Sequence, residues 1–256
     1  MRVAGLFDIH GRPALDAALE DVRRAGADRI VVGGDVVPGP MPRETLQHLL
    51  ALDLPTDFIH GNCERAVLAQ MAATDADEVT YWGTVSGNPP PEPYRAGMRW
   101  TAQQLPEYRA VFERWPRTAR LEIPGLGPVL FCHATPRSET ECFTRRTPET
   151  VLAPIFDGLG VSVVVCGHTH MPFDRRIGAT RVVNAGSVGM PFGRPGAFWV
   201  MLGPDVELRR TSYDLEHAAA RFRATSYPQA EEDARGVVQP PSEEDMLEIY
   251  AKAELK

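Results

Sequence analysis

Lysine is nearly missing from this chain of 256 residues: Lys252 and Lys256 stand against 25 arginines. The arginines are scattered along the chain and read as compositional bias, not as one arginine-specific chemistry. Basic charge as a whole is in deficit, with 27 basic and 34 acidic residues and a net charge of -7. A chain of that sign holds nucleic acid poorly through its overall field, so no stable nucleic-acid binding is expected. Cysteine is sparse. Cys63, Cys132, Cys142 and Cys166 form no C-x-x-C pair, which excludes a zinc knuckle and a thioredoxin-type motif. The first residues, Met1–Gly11, lack the pattern of a signal peptide, so the thiols are read as reduced and the protein as cytoplasmic. No apolar run approaches about 18 residues, so no membrane span is expected. The 22 glycines and 23 prolines follow no period, which excludes a collagen-like chain. What is present is an ordinary globular balance, 43% apolar and 24% charged, in a chain long enough to bury a sizeable core.

Short apolar runs alternate with helix-like stretches. Runs at 3–7, 29–32 and 56–59 stop at Asp8, at Gly33-Gly34-Asp35 and at His60-Gly61-Asn62. Helical patterns follow at 13–25, at 43–52 and from about Glu64. This rhythm predicts parallel strands joined by crossover helices, with ligands at the carboxyl ends of the strands. Residues 75–118 break the rhythm. The run Asn88-Pro-Pro-Pro-Glu-Pro93 excludes helix and central strand there, and 100–115 looks helical with an interruption at Pro106. That region is expected to be an inserted, cap-like part of one domain spanning 1–228.

The later part reads as more antiparallel. A hairpin is predicted from 120–123 and 128–132, a helix over 148–156, and a strand buried on both faces over 161–166. Further strands are expected at 173–177, 181–183, 197–202 and 207–213, then a helix over 215–224. Residues 229–241 read as a polar, proline-containing linker to a short C-terminal helix, with Ser242 and Asp245 as its capping box. Met246, Leu247, Ile249 and Tyr250 of that helix are expected to pack on the body or on a second copy of the chain.

The chemistry gathers where strands end: Asp8-Ile-His10, Gly34-Asp35, Gly61-Asn62, His133 and His168-Thr-His170 hold four of the seven histidines. Imidazoles, carboxylates and an amide oxygen form a mixed N/O donor set that suits Mn²⁺, Fe, Zn²⁺ or Co²⁺. Seven such side chains are too many for one ion and suit two ions sharing a carboxylate. Two ions about 3.5–4 Å apart are a known solution for phosphoester hydrolysis.

The ordered set D-x-H, G-D, G-N, H and G-H-x-H resembles the calcineurin-like metallophosphoesterase superfamily over roughly residues 1–215. The segment from Val183 to Pro191, with its Asn184-Ala-Gly-Ser187 turn, is similar to the compact bacterial and archaeal phosphodiesterase-like branch. The resemblance implies an α/β fold, a four-layer α-β-β-α sandwich of two mixed sheets flanked by helices. It implies two divalent transition-metal ions, manganese first and iron, zinc or nickel as alternatives. Asp8, His10 and His170 would hold one ion, Asn62, His133 and His168 the other, and Asp35 would bridge them. A hydroxide bridging the ions would attack phosphorus in line. Asp35, Asn62, Cys63 and His133 are the implied catalytic residues.

Two positions depart from the family pattern. Cys63 stands where many members have histidine after Gly-Asn, and a thiol is the poorer donor to a leaving group. General-acid assistance is typically worth ~10²–10⁴-fold, so diesters and activated aryl esters are expected ahead of alkyl monoesters. His60 is the alternative replacement and a substrate-binding candidate. Arg12 stands where many members have asparagine and is expected to bind a substrate phosphate. Arg137, Arg145, Arg146 and Arg194 are weaker candidates for that task. Thr169 and Ser187 are expected as supporting hydrogen-bond groups, and Glu64 or Asp174 as partners of ligand imidazoles. Cys132 and Cys166 read as core, and His48 and His217 as surface. Trp82, Trp100, Trp115, Tyr81, Tyr94 and Tyr108 read as a mini-core of the insertion ahead of a shelf for a nucleobase.

The expected function is a dinuclear phosphodiesterase acting on a small, possibly nucleotide-derived phosphoester. The alternatives are a phosphomonoesterase or protein-phosphatase-like activity, and a non-catalytic metal-binding interaction module.

Overall fold

Six apolar runs of the chain become parallel strands whose carboxyl ends meet in one place. In the first sheet β1 (Val3–Leu6), β2 (Arg29–Val32) and β3 (Thr56–Phe58) are parallel. In the second, β5 (Gly127–Cys132), β6 (Val163–Cys166) and β8 (Thr180–Asn184) are parallel. Each sheet is completed by antiparallel strands. β9 (Ala197–Leu202) and β10 (Val206–Thr211) give the first the order β10-β9-β1-β2-β3. β4 (Thr118–Ile123) and β7 (Phe173–Ile177) give the second the order β4-β5-β6-β8-β7. The fold comes from a computed structural model that describes residues 1–73, 81, 83, 90–253 and 255.

Strand alternation builds the layers. Val3, Phe7, Val31, Val129, Phe131, Val163 and Val165 face the space between the sheets and form one dry core. Ala4, Leu6, Ile30 and Val32 point the other way. They pack under α1 (Ala14–Arg24), α2 (Pro42–Leu50), α3 (Asn62–Ala72), α4 (Glu92–Gln104) and α5 (Arg109–Phe112). Leu130, Cys132, Val164 and Cys166 pack under α6 (Glu149–Phe156) on the far side. The result is the α-β-β-α sandwich of two mixed sheets that the resemblance implies.

The described residues correct several expectations. The second sheet is evenly mixed: β5–β6 and β6–β8 pair parallel, while β4–β5, the expected hairpin, and β7–β8 pair antiparallel. α4 starts at Glu92 and takes in Pro93, because proline in a first turn loses no helical hydrogen bond. The interruption expected at Pro106 is present, as a 3-10 turn at Pro106–Tyr108 between α4 and α5. Met98, Ala102, Leu105, Phe112 and Trp115 bury themselves in the main core. Trp115 stacks on Phe58, with centroids 4.9 Å apart. Trp115 thus joins the main core, with Tyr81, Tyr94 and Tyr108 packed against that core, and not a separate mini-core of the insertion, whereas Trp82 and Asn88–Pro89 lie outside the described residues.

The linker expected over 229–241 is largely helix. After α7 (Leu215–Arg223), α8 (Ala230–Val238) packs Ala234 and Val237 against Ala218, Ala219 and Phe222. Its first turn carries Glu231, Glu232 and Asp233, which suit a helix N-terminus. Two apolar residues at i and i+3 are a faint amphipathic signal, hidden by Gly236 and the flanking prolines. α9 (Glu243–Lys252) starts at Ser242, whose hydroxyl accepts a hydrogen bond from the Asp245 amide. It buries Leu247 and leaves Ile249 half exposed.

Candidate metal centre

Every candidate ligand sits on the first residues after a strand. Asp8 and His10 follow β1, Asp35 follows β2, Asn62 follows β3, His133 follows β5, and His168 and His170 follow β6. Among the described residues, six non-glycine positions have positive φ. Five of them are Asp8, His10, Asp35, His168 and His170, with φ of 51–67°. That conformation costs on the order of 1 kcal/mol or more per residue and persists only where surrounding structure enforces it. Here it aims the side chains inward. The backbones are held across the sheets: the Asp8 amide donates to the Gly34 carbonyl, and the His10 amide to that of Asp35.

The side chains converge. His170 Nε2 lies 3.3 Å from both His10 Nε2 and Asp8 Oδ1. His133 Nε2 lies 3.5 Å from Asp35 Oδ1 and 3.8 Å from Asp8 Oδ1. Three sets of ligand atoms lie within 4.8 Å of one another: Asp8, His10, His170; Asp8, Asp35, His133; and His10, Asp35, Cys63. Ring orientation is fixed from behind. His133 Nδ1 donates to the Gly33 carbonyl at 2.9 Å, and His170 Nδ1 to that of Met190 at 2.7 Å. In each ring this leaves Nε2 toward the cluster. His168 does the reverse, with Nε2 3.2 Å from the Thr140 carbonyl.

The donor set passes a test of fit for metal. Asp8 Oδ1, Asn62 Oδ1 and His133 Nε2 are buried without a hydrogen-bond partner. Each such atom costs roughly 1–3 kcal/mol unless something occupies its lone pair. The Asn62 amide points its nitrogen at the Gly83 carbonyl, at 2.9 Å, so its oxygen is the free end. A divalent ion satisfies such atoms, and the set of carboxylate, imidazole and amide oxygen suits first-row metals.

Electrostatics agree. Burial resists charge on Asp35, yet His133 beside it holds its carboxyl below the usual range, and His170 and His133 do the same for Asp8. Burial alone opposes the His133 imidazolium, but Asp35 and Asp8 outweigh it and raise its pKa to about 10. Burial lowers His10 to about 3 and His168 to about 4, with His170 and His133 respectively as the next cause. Those two rings are therefore neutral and ready to ligate.

Supporting groups come from outside the ligand motifs. Glu64, in the first turn of α3, accepts from four backbone amides: Asp35 at 2.9 Å, Val36 at 2.8 Å, Val37 at 3.3 Å and Gly61 at 2.7 Å. It clamps the Asp35 loop and does not orient an imidazole. The α3 N-terminus itself addresses Asp35, whose Oδ1 accepts from the Cys63 amide at 2.9 Å. Gly61 permits that approach, since a Cβ there would stand 2.1 Å from Asp35 Oδ1. Ser187 donates to the Asp8 carbonyl at 2.8 Å, and Asn184 donates to Thr169 Oγ1 at 3.1 Å. Both thus support the ligand loops.

Other expectations part company with the geometry. Asp174 is on the outer edge of the second sheet, paired with Arg181, because β7 is an edge strand. His60 turns its Nδ1 to the Gly61 carbonyl at 3.4 Å and lies outside the lining of the cavity. Arg137, Arg145 and Arg146 pair with Glu141, Glu243 and Glu244, and Arg194 is exposed; none lines the cavity. Arg12 does line it, but its guanidinium is buried, 2.9 Å from Asp233 and stacked over the Phe222 ring.

The cavity over the ligands measures about 260 Å³. Tyr94, Phe192, Tyr227, Gln229, Asp233 and Tyr250 line it together with the ligand residues. Of these the sequence singles out Tyr94 and Tyr250, both as packing residues and neither as part of a site. The rest come from the Pro191 turn and the last thirty or so residues, where no spacing announces a site.

The chain is similar to known proteins in the same terms. Residues 1–203 match the model of the calcineurin-like phosphoesterase superfamily domain. The fold is similar to that of hypothetical protein PH1004 from Pyrococcus horikoshii OT3, at 21% identity and a TM-score of 0.76, covering 94% of this chain and 99% of that one. It is also similar to a metallophosphoesterase from Sphaerobacter thermophilus, at 24% identity and a TM-score of 0.70, covering 94% of this chain and 100% of that one. No curated protein matches the sequence. Among the described residues no helix is long and apolar enough to cross a membrane. With the family model spanning most of the sequence and its sandwich and donor set in place, the chain belongs to the calcineurin-like phosphoesterase superfamily, a family of metal-dependent phosphoester hydrolases.

Proposed function

We propose that this protein hydrolyses small phosphoesters with the help of two divalent ions, and that it prefers diesters to monoesters. The observation that carries the reading is the set of buried, unpartnered ligand atoms on Asp8, Asn62 and His133, which flank the shared carboxylate Asp35. Asp8, His10 and His170 would hold one ion, Asn62, His133 and His168 the other. Such ions, when bound, supply an activated water and neutralise charge on phosphoryl oxygens.

The preference for diesters rests on two residues. Burial, then the Asp35 carboxylate, pushes the Cys63 thiol well above its ordinary pKa, so it is a feeble proton donor to a departing alkoxide. Esters whose leaving group needs no proton suffer least. Arg12 is the one arginine or lysine among the described residues that line the cavity, and Asp233 neutralises it. A dianionic monoester therefore finds no spare cation beyond the ions, while a monoanionic diester asks for less. The carboxylate, imidazole and amide-oxygen donors of the set suit manganese among the first-row metals. The four cysteines are free and buried, in keeping with a cytoplasmic protein.

The test is hydrolysis of a chromogenic aryl phosphodiester and its monoester, side by side, by protein stripped with chelator and resupplied with Mn²⁺. The expected result is metal-dependent diester turnover that Asp35→Asn lowers at least a hundredfold. Faster monoester turnover would reverse the preference. Turnover of neither ester, with two ions bound, would return the metal-binding interaction module to first place.

A further inference from the structure

The family model ends at residue 203, yet the cavity does not. Its outer wall is built from later residues: Tyr227 before α8, Gln229 and Asp233 at its start, and Tyr250 on α9. They face Tyr94 of α4 and Phe192. Four aromatic rings thus surround a space that opens onto the ligand residues. Phe192 stacks on the His170 ring, with centroids 5.2 Å apart and an angle of 16°, and Tyr250 lies 6.4 Å from Phe192. Tyr227 is braced edge-on by Trp100 at 5.3 Å. The two charges on this wall, Arg12 and Asp233, cancel at 2.9 Å.

The wall is fastened to the loops that orient the ligands. Arg145 and Arg146 pair with Glu243 and Glu244 at the start of α9. The Gly193 amide donates to the Pro241 carbonyl at 2.8 Å, and the Leu255 amide to the Cys142 carbonyl at 2.9 Å. Thr140, which contacts His168, and Met190, which accepts from His170, belong to these same two loops. The aromatic wall is a fixed part of the site.

Resting on the phosphoesterase reading, we propose that α8, α9 and the segment before them form a specificity cap, in which Tyr227 and Tyr250 select a small phosphoester carrying one planar, uncharged ring system. The phosphate faces the ligand residues and the ring lies against the aromatic wall. A space of about 260 Å³ matches a nucleoside-sized group. Aromatic faces stack on any flat ring, and the balanced charge on the wall gives a charged ring nothing to pair with.

The experiment holds the leaving group constant. Thymidine 5′-(p-nitrophenyl phosphate) and methyl p-nitrophenyl phosphate share the nitrophenyl leaving group, and only the first carries a nucleobase on the retained side for the cap to read. With the full chain and Mn²⁺, kcat/KM is expected to favour the thymidine ester about tenfold or more. Tyr250→Leu and Tyr227→Leu, each checked by thermal melting, should bring that ratio toward one. Calorimetric binding of thymidine 5′-monophosphate should weaken in parallel. Hydrolysis of both esters at equal efficiency, or variants that keep the ratio, would overturn the cap and leave the hydrolase reading standing. So would faster turnover of a phosphopeptide than of either ester. If neither ester is cleaved with ions bound, the hydrolase reading fails and calorimetry decides the cap: binding weakened by the variants keeps it, and absence of binding overturns it.

Discussion

His10 and His170 meet Nε2 to Nε2 at 3.3 Å, although they come from loops 160 residues apart. Both backbones are left-handed, at φ of 53° and 58°, and Asp8 Oδ1 lies 3.3 Å from the His170 nitrogen. Two imidazole nitrogens and a carboxylate oxygen aimed at one point make a ligand set. Replacing His170 with asparagine is expected to lower the bound metal from two ions per chain to one, measured by elemental analysis after gel filtration. Two retained ions would show that His170 is not a ligand.

Metal should also hold the fold together. The buried atoms of Asp8, Asn62 and His133 have no hydrogen-bond partner, so chelation leaves part of their desolvation uncompensated. An ion that binds only the folded chain stabilises it by about 2.7 kcal/mol at a hundred times its Kd. Chelator-treated protein is expected to melt several degrees lower and to recover on adding Mn²⁺, as read by scanning calorimetry. An unchanged melting temperature would contradict this.

Proton linkage gives a pH test. In the metal-free protein the His133 pKa is raised to about 10, above its unfolded value, by the Asp35 and Asp8 carboxylates against the cost of burial. Its contribution to stability is therefore complete below about pH 6.5 and is lost as pH climbs through 10. His10 and His168 are lowered to about 3 and 4, so theirs is present above about pH 6.5 and lost as pH falls toward those values. Metal must expel the His133 proton to bind. Metal affinity is expected to rise about tenfold per pH unit between about pH 7.5 and 9.5, with one proton released per chain. Competition with a chromophoric chelator and calorimetry in two buffers measure both; a flat profile would count against His133 as a ligand.

Glu64 should matter more than its distance from the phosphate suggests. Its carboxylate accepts four backbone amides around Asp35 and Gly61. Burial, with Asp35 nearby, raises its pKa to about 7. Glu64→Gln puts an amide nitrogen among donors and strands at least one buried N–H, at a cost of about 1–3 kcal/mol. Urea unfolding should show that loss, and metal affinity should fall with it because Asp35 is no longer clamped. Full retention of both would mean that the loop holds itself.

The Arg12–Asp233 pair fastens the outer wall to the first ligand loop. Asp233→Asn leaves the buried guanidinium without its counter-charge and is expected to cost about 3–5 kcal/mol. Arg12→Met together with Asp233→Leu should cost markedly less, because no charge is then stranded. A double-mutant cycle by chemical denaturation separates these outcomes.

The cluster of candidate ligand residues was legible in the sequence because each follows a short apolar run. A parallel strand delivers its next residue to the same rim as its neighbours, so Asp8, Asp35, Asn62, His133 and His168 could be assembled from order alone. Strand limits and most helices were legible for the same local reason, periodicity of apolar residues. Three things were decided only by tertiary structure. Arg12 has a motif position that suggests phosphate, yet Asp233, more than two hundred residues later, claims its charge. Glu64 reads as a partner for a ligand imidazole and proves to be the clamp on another motif's loop. Tyr227 and Tyr250 carry no spacing signal, since they reach the cavity through the packing of α8 and α9. Local pattern reports which face of its own element a residue occupies. Which distant element covers that face is fixed by long-range packing, where a pair of residues leaves no periodic trace in the chain.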